Sequence, residues 1–191
     1  MFPLLVRPGV ELSLVEERQA PALFAVVDRD RAHLRQWLPW VDGTREESDT
    51  LQFIQAHMEQ FASNAGFAAI IWENGQIAGI IGTHQINWAH RRVELGYWLA
   101  AEFQGRGLIT DSCRSVLKYL FTEMQLNRIE ILCAVGNTKS KAVPTRLGFT
   151  YEGILREAEL LNGQFMDLEV HSMLQSEFLM QREPRAAGGF S

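Results

Sequence analysis

The sequence predicts an α+β domain, layered α/β/α, with a mostly antiparallel central sheet flanked by helices. Three observations predict it. Asn74-Gly75 and Asn162-Gly163 each separate two apolar-rich runs, and Asn-Gly is a strong hairpin signal because a type I′ turn needs positive φ twice. The run 92–99 follows the first hairpin closely enough to add a third strand and make a meander. Long segments at 46–64 and 108–124 carry apolar residues at helical rather than strand spacing.

Taken in order, 10–15 alternates apolar and polar residues and reads as the first strand. Residues 20–28 form a helix with Leu23, Phe24 and Val27 on one face. The segment 29–40 is basic and ends in Trp37-Leu38-Pro39-Trp40. The tryptophan pair either caps the core or walls a substrate site, since tryptophan offers large rigid surface. The helix 46–64, capped by Thr44 or Ser48, has Leu51, Ile54, Met58 and Phe61 as its buried stripe. Strands 66–72 and 76–88 flank Asn74-Gly75. The helix 108–124 turns Ile109, Cys113, Val116, Leu117, Leu120, Phe121 and Met124 to the core. Strand 128–135 precedes a short helix, 138–147, capped by Asn137 and ended by Gly148. Strands 150–161 and 164–175 close the fold. The expected organisation is one domain over 1–180 and a mobile tail over 181–191.

Bulk properties narrow the function. Net charge is −5, so there is no basic footprint for nucleic acid. Cys113 and Cys133 fall in apolar periodic segments and read as buried, reduced thiols. The five histidines show no ligand spacing, so no metal is expected. No apolar run reaches membrane-spanning length, and the N-terminal residues do not open a signal peptide, so a cytoplasmic protein is expected.

The stretch with most chemical content is Gln104-Gly105-Arg106-Gly107-Leu108-Ile109. It joins the strand ending Tyr97-Trp98-Leu99 to the helix at Leu108. A strand, a glycine turn and a helix start together present unpaired amides and a positive dipole end, which suit phosphate oxygens. Glycines let the backbone approach a ligand without a Cβ between them.

Three segments then resemble the GNAT superfamily of N-acetyltransferases. Residues 104–109 are similar to its acyl-CoA loop, Q/R-x-x-G-x-G/A. Asn137-Thr138-Lys139-Ser140 with Leu147-Gly148-Phe149 resembles its second motif. The segments 35–40, 94–99 and 157–163 resemble the branch that acetylates ribosomal-protein N-termini on serine or alanine. The resemblance implies a sheet splayed to hold acetyl-CoA and direct transfer of acetyl to an amine. It implies Gly105, Arg106, Gly107, Leu108 and Ile109 around the diphosphate, with Gln104 in the same loop. Trp98 and Leu99 would lie beside the pantetheine arm, and Asn137 would bond that arm or a water. Glu159 is the implied base, with Glu94 competing. Ser140 is the implied acid, with Tyr97 and Tyr151 as alternatives. Trp37 and Trp40 stand on the substrate side.

Two residues depart from the family pattern. Ile109 stands where glycine or alanine is usual, and Pro144 interrupts the short helix, freeing the Ser140 carbonyl. His84 and His171 read as structural. The acceptor stays open between a protein N-terminus and a small amine such as a polyamine, amino sugar or antibiotic. A non-catalytic acyl-CoA-binding module is the third option. Exposed aromatics such as Trp88 offer a homodimer contact.

Overall fold

The computed structural model describes residues 3–182. Its strands are β1 (Leu4–Arg7), β2 (Val10–Leu14), β3 (Ala68–Glu73), β4 (Gln76–Thr83), β5 (Arg92–Leu99), β6 (Arg128–Ala134), β7 (Thr150–Leu161) and β8 (Gln164–Leu174). The helices are α1 (Ala20–Arg29), α2 (Arg31–Leu34), α3 (Glu47–Ala62), α4 (Leu108–Thr122), α5 (Thr138–Leu147) and α6 (Gln175–Arg182). One sheet runs in the order β1-β2-β3-β4-β5-β6-β8-β7. Every neighbouring pair is antiparallel except β5 and β6.

Both faces of the sheet are covered, which explains the unbroken apolar run at the start of β3. Ala69 and Ile71 join the cluster beneath α4, with Leu108, Cys113, Val116, Leu117 and Leu120. Ala68 and Ile70 point the other way, to Leu23 of α1 and Ile54 of α3. Strands covered on both sides lose polar alternation because neither face meets water. Both hairpins turn as expected, with φ of +50° and +77° at Asn74 and Gly75 and of +50° and +80° at Asn162 and Gly163.

Several boundaries differ from expectation. An edge strand, β1, precedes β2 and pairs with it antiparallel. Leu5 there is 76% exposed, so the strand lacks the buried alternation that would reveal it. The expected stripe of α3 is half correct. Ile54 is buried and Leu51 partly so, but Met58 and Phe61 are 41% and 43% exposed. A periodic stripe is buried only as far as a partner extends along it. Neither Thr44 nor Ser48 caps α3; Glu46 does, in a reciprocal capping box with Asp49. Strand β4 stops at Thr83, after which Asn87 and Arg92 form an isolated bridge. Gln181 lies in α6, whose Phe178 stacks near Phe121 at 5.0 Å. The rest of the expected tail, 183–191, falls outside the described residues.

One ionic knot ties the last three strands of the sheet. Arg128 of β6 reaches Glu152 of β7 through both terminal nitrogens, at 2.7 and 2.5 Å, and Ser172 of β8 donates to the same carboxylate at 2.7 Å. These hydrogen bonds, that from Arg128 first, lower the Glu152 pKa from 4.5 to about 2. A lowered carboxylate pKa means the folded state binds its proton less tightly than the unfolded chain. The stabilisation is therefore complete above pH 4.5 and lost as pH falls towards 2. Glu152→Gln is expected to lower the melting temperature at pH 7 and to match the parent near pH 2, as calorimetry across that range will read.

Candidate active site

The site begins where the sheet opens. Strands β5 and β6 pair only from Arg92–Glu94 to Arg128–Glu130. Beyond Glu94, β5 remains paired on its other side, Leu95 to Leu99 against Thr83 to Gly79 of β4. Strand β6 likewise remains paired with β8 through Ala134. The two strands therefore part into a notch, along which the Leu95–Leu99 edge of β5 has no neighbouring strand among the described residues. An extended chain can add to such an edge through backbone hydrogen bonds.

At the mouth of the notch stands the glycine turn. Gly105 and Gly107 have φ of +76° and +77°, and Gly107 is the N-cap of α4. Residues 105–107 are exposed, while Leu108, Ile109 and Thr110 are buried. Among the described residues none accepts a hydrogen bond from the amides of residues 105–110; the first to bond is Asp111, to Gly107 at 3.0 Å. Six unpaired amides at the start of a four-turn helix make an anion cradle. A Cβ at Gly105 would meet nothing within 4 Å, so the space above it is open. Ile109 departs from the family pattern without blocking the cradle. Its side chain is 9% exposed and packs in the main core.

The cradle is held from two sides. Arg7 donates to Asp111 at 2.7 Å and to the carbonyl of Arg106 at 3.0 Å. Asp111, an acid in the first turn of α4, is thereby neutralised, with Arg114 assisting at 3.1 Å. No sequence signal announces Arg7, since it lies 104 residues from its partner. Gln104 is engaged inside the protein: its Oε1 accepts from Lys139 at 2.8 Å and its amide nitrogen meets His33 Nε2 at 2.7 Å.

Deeper in the notch a polar cluster bridges its walls. Asn137 caps α5 as expected, accepting from the Ser140 amide at 3.1 Å. Ser140 Oγ lies 3.3 Å from Cys133 Sγ and donates to the Tyr97 hydroxyl at 3.4 Å. Tyr97 in turn donates to the Ser140 carbonyl at 3.2 Å. The carbonyl released by Pro144 is thus taken by Tyr97, not left for a ligand. Burial pushes the Tyr97 pKa well up, so the phenol keeps its proton. Burial also raises the thiol of Cys133. Cys133 is buried, as its apolar periodic segment implies, but it also meets this polar cluster through Ser140. Tyr151, the other alternative acid, is 53% exposed and stacks near His171 at 5.5 Å, away from this cluster.

A second cluster holds the acids. Glu94 is half-buried; desolvation raises its pKa, His84 opposes the rise, and the charges of Glu130 and Glu159 add to it. Desolvation likewise raises Glu159, with His84 opposing. His84 Nε2 lies 3.5 Å from Glu94 Oε1. The two expected acids from distant strands therefore share one electrostatic neighbourhood, and His84 belongs to it. Carboxylates so raised bind protons more readily than surface ones.

The tryptophans border the notch. Trp40 packs near Trp98, with ring centroids 6.0 Å apart, and stays 39% exposed. The Trp37 ring lies 3.5 Å from where a Cβ on Gly136 would stand. Asn162, at the tip of the β7–β8 hairpin, donates to the Arg35 carbonyl at 3.0 Å, closing that end.

The model of the acetyltransferase (GNAT) domain matches residues 10–150. The chain belongs to the GNAT family. It is accordingly an N-acetyltransferase. Among relatives, the chain is 36% identical over 180 residues to YdaF of Bacillus subtilis (strain 168), named provisionally as a ribosomal N-acetyltransferase. That match covers 93% of this chain and 98% of YdaF. It is 30% identical to the spermidine N(1)-acetyltransferase of Vibrio cholerae, over 75% of this chain and 83% of that one. Among solved structures it superposes with a TM-score of 0.89 and 27% identity on RimL, a ribosomal L7/L12 α-N-protein acetyltransferase. That likeness covers 92% of this chain and 99% of RimL, which was solved with coenzyme A in disulfide with a cysteine.

Proposed function

We propose that this GNAT enzyme transfers acetyl from acetyl-CoA to the α-amino group of a protein N-terminus. The observation that carries the reading is the pair of proton-accepting carboxylates, Glu94 and Glu159, sharing one neighbourhood in a notch whose mouth is an anion cradle. When bound, acetyl-CoA supplies an acetyl group activated as a thioester. The residues fit it: the amides of 105–110 for the diphosphate, the free edge of β5 from Leu95 to Leu99 for the arm, and Lys139 as a nearby cation, while the Arg106 guanidinium is paired to Glu73 at 2.6 Å. RimL's coenzyme reaches a cysteine, and of the two buried cysteines here Cys133 meets the Ser140 hydroxyl while Cys113 lies on the core face of α4. This supports placing Ser140, 3.3 Å from Cys133, at the sulfur end.

The proton arithmetic favours an α-amine. Neutralising an α-amino group at pH 7 costs about 1 kcal/mol and a lysine about 4.6 kcal/mol, at ~1.36 kcal/mol per pH unit. A moderately raised carboxylate suffices for the first. Glu159 is the proposed acceptor of that proton, with Glu94 setting its field. The spermidine relative keeps the polyamine reading testable.

Thiol release should be followed with acetyl-CoA and three acceptors: peptides with a free α-amine, N-blocked lysine peptides, and spermidine. Release with the first alone is expected. Release with spermidine alone would replace this reading, and binding of acetyl-CoA without release from any acceptor would leave a non-catalytic module. In the same assay kcat should fall on the acid side through a group titrating above the ordinary carboxylate range. Protonation removes the base, so activity is present above that pKa and lost below it. Glu159→Gln should abolish that limb and lower kcat by about 10²-fold.

A further inference from the structure

Strand β7 carries two residues more than its partner needs. Leu155 pairs with Leu168 and Glu159 with Met166, so Arg156, Glu157 and Ala158 stand opposite Asp167 alone. The central one, Glu157, has φ +51°, a conformation residues other than Gly, Asn and Asp seldom take. Its amide donates to Asp167 Oδ1 at 2.8 Å. Asp167 is itself anchored, its carbonyl accepting from the amide of Val135, the residue after β6, at 3.1 Å.

The arithmetic of the insertion matters. A strand alternates with period two, so two extra residues leave the faces unchanged but move the sequence along by one same-face position. In a straight ladder the residue opposite Met166 would be Glu157; with the bulge it is Glu159. The bulge thus decides which glutamate stands in the neighbourhood of Glu94 and His84. Bulges that re-aim a side chain recur beside active sites.

We propose that Asp167 is a positioning residue for acetyl transfer: its carboxylate holds the β7 bulge that sets Glu159, not Glu157, beside Glu94 and His84. This rests on the reading of Glu159 as proton acceptor. The test uses the full chain, acetyl-CoA and a peptide with a free α-amine. Asp167→Ala should lower kcat by about 10–100-fold, while acetyl-CoA affinity stays within about twofold. Asp167→Asn, whose side-chain carbonyl can still accept from the Glu157 amide, should recover most of the rate. Adding Glu157→Gly to Asp167→Ala should recover part of it, because glycine holds positive φ unaided. If Asp167→Ala does not fold, the Asn variant and the double variant carry the comparison against the parent. Equal loss in the Asn and Ala variants, or no recovery with glycine, would overturn the proposal. Glu159→Gln run in parallel separates the two claims. An impaired Glu159→Gln beside a fully active Asp167→Ala defeats the positioning role alone; a fully active Glu159→Gln defeats both.

Discussion

Gly107→Val is expected to bind acetyl-CoA about 100-fold more weakly, the equivalent of ~2.8 kcal/mol, with the melting temperature lowered by about 2–8 °C. The protein side of that position has room: an added Cβ would lie 3.7 Å from Asp111 and 4.0 Å from Arg7, ordinary contacts. The loss comes from the backbone. Gly107 caps α4 at φ +77° and ψ +1°, which a β-branched residue resists by about 1–2 kcal/mol. Relaxing towards negative φ turns the amides of 107 and 108 away from the diphosphate. Each hydrogen bond to a charged group contributes about 1.5–3 kcal/mol, so losing one or two gives the expected size. Titration calorimetry with acetyl-CoA reads the affinity directly, and Gly107→Ala should fall between. Unchanged affinity would remove the cradle, and with it the placement of the cofactor.

Ser140→Ala should lower kcat by about 10²-fold while acetyl-CoA affinity holds, the outcome expected if its hydroxyl gives a proton to the departing sulfur and does not hold the resting cofactor. The single phenolic hydrogen is committed to the Ser140 carbonyl, while the phenol oxygen receives the serine hydrogen. Tyr97 thus orients Ser140 at two points. Tyr97→Phe alone should cost about tenfold, and in a Ser140→Ala background it should add little, since residues acting as a unit are not additive. A Tyr97→Phe loss that exceeds the serine loss and persists in the double variant would make the tyrosine the acid.

How much of this was legible beforehand depends on the range of the interaction. The Asn-Gly turns, the Asn137 cap and Gly148 are local devices, and each appears where its residues stand. The stripe of α4 was legible because the helix is buried along its whole length; that of α3 was only half so, because Met58 and Phe61 extend beyond their cover. Glu94, Glu159 and Ser140 were named as candidates one by one. That Arg7 neutralises Asp111, that His84 joins the acids, and that Tyr97 occupies the carbonyl freed by Pro144 was hidden, since each joins residues with no sequence relation.

The chain by itself determined the hairpin turns, the glycine turn before α4 and most strands and helices, though not β1 or α6, because those depend on periodicity and on single-residue φ preferences. Tertiary structure alone decided the parting of β5 from β6 after Glu94 and the two-residue slip of β7 against β8. Both are matters of pairing register between distant segments, where the free energy of contact is collected only after the whole sheet has formed.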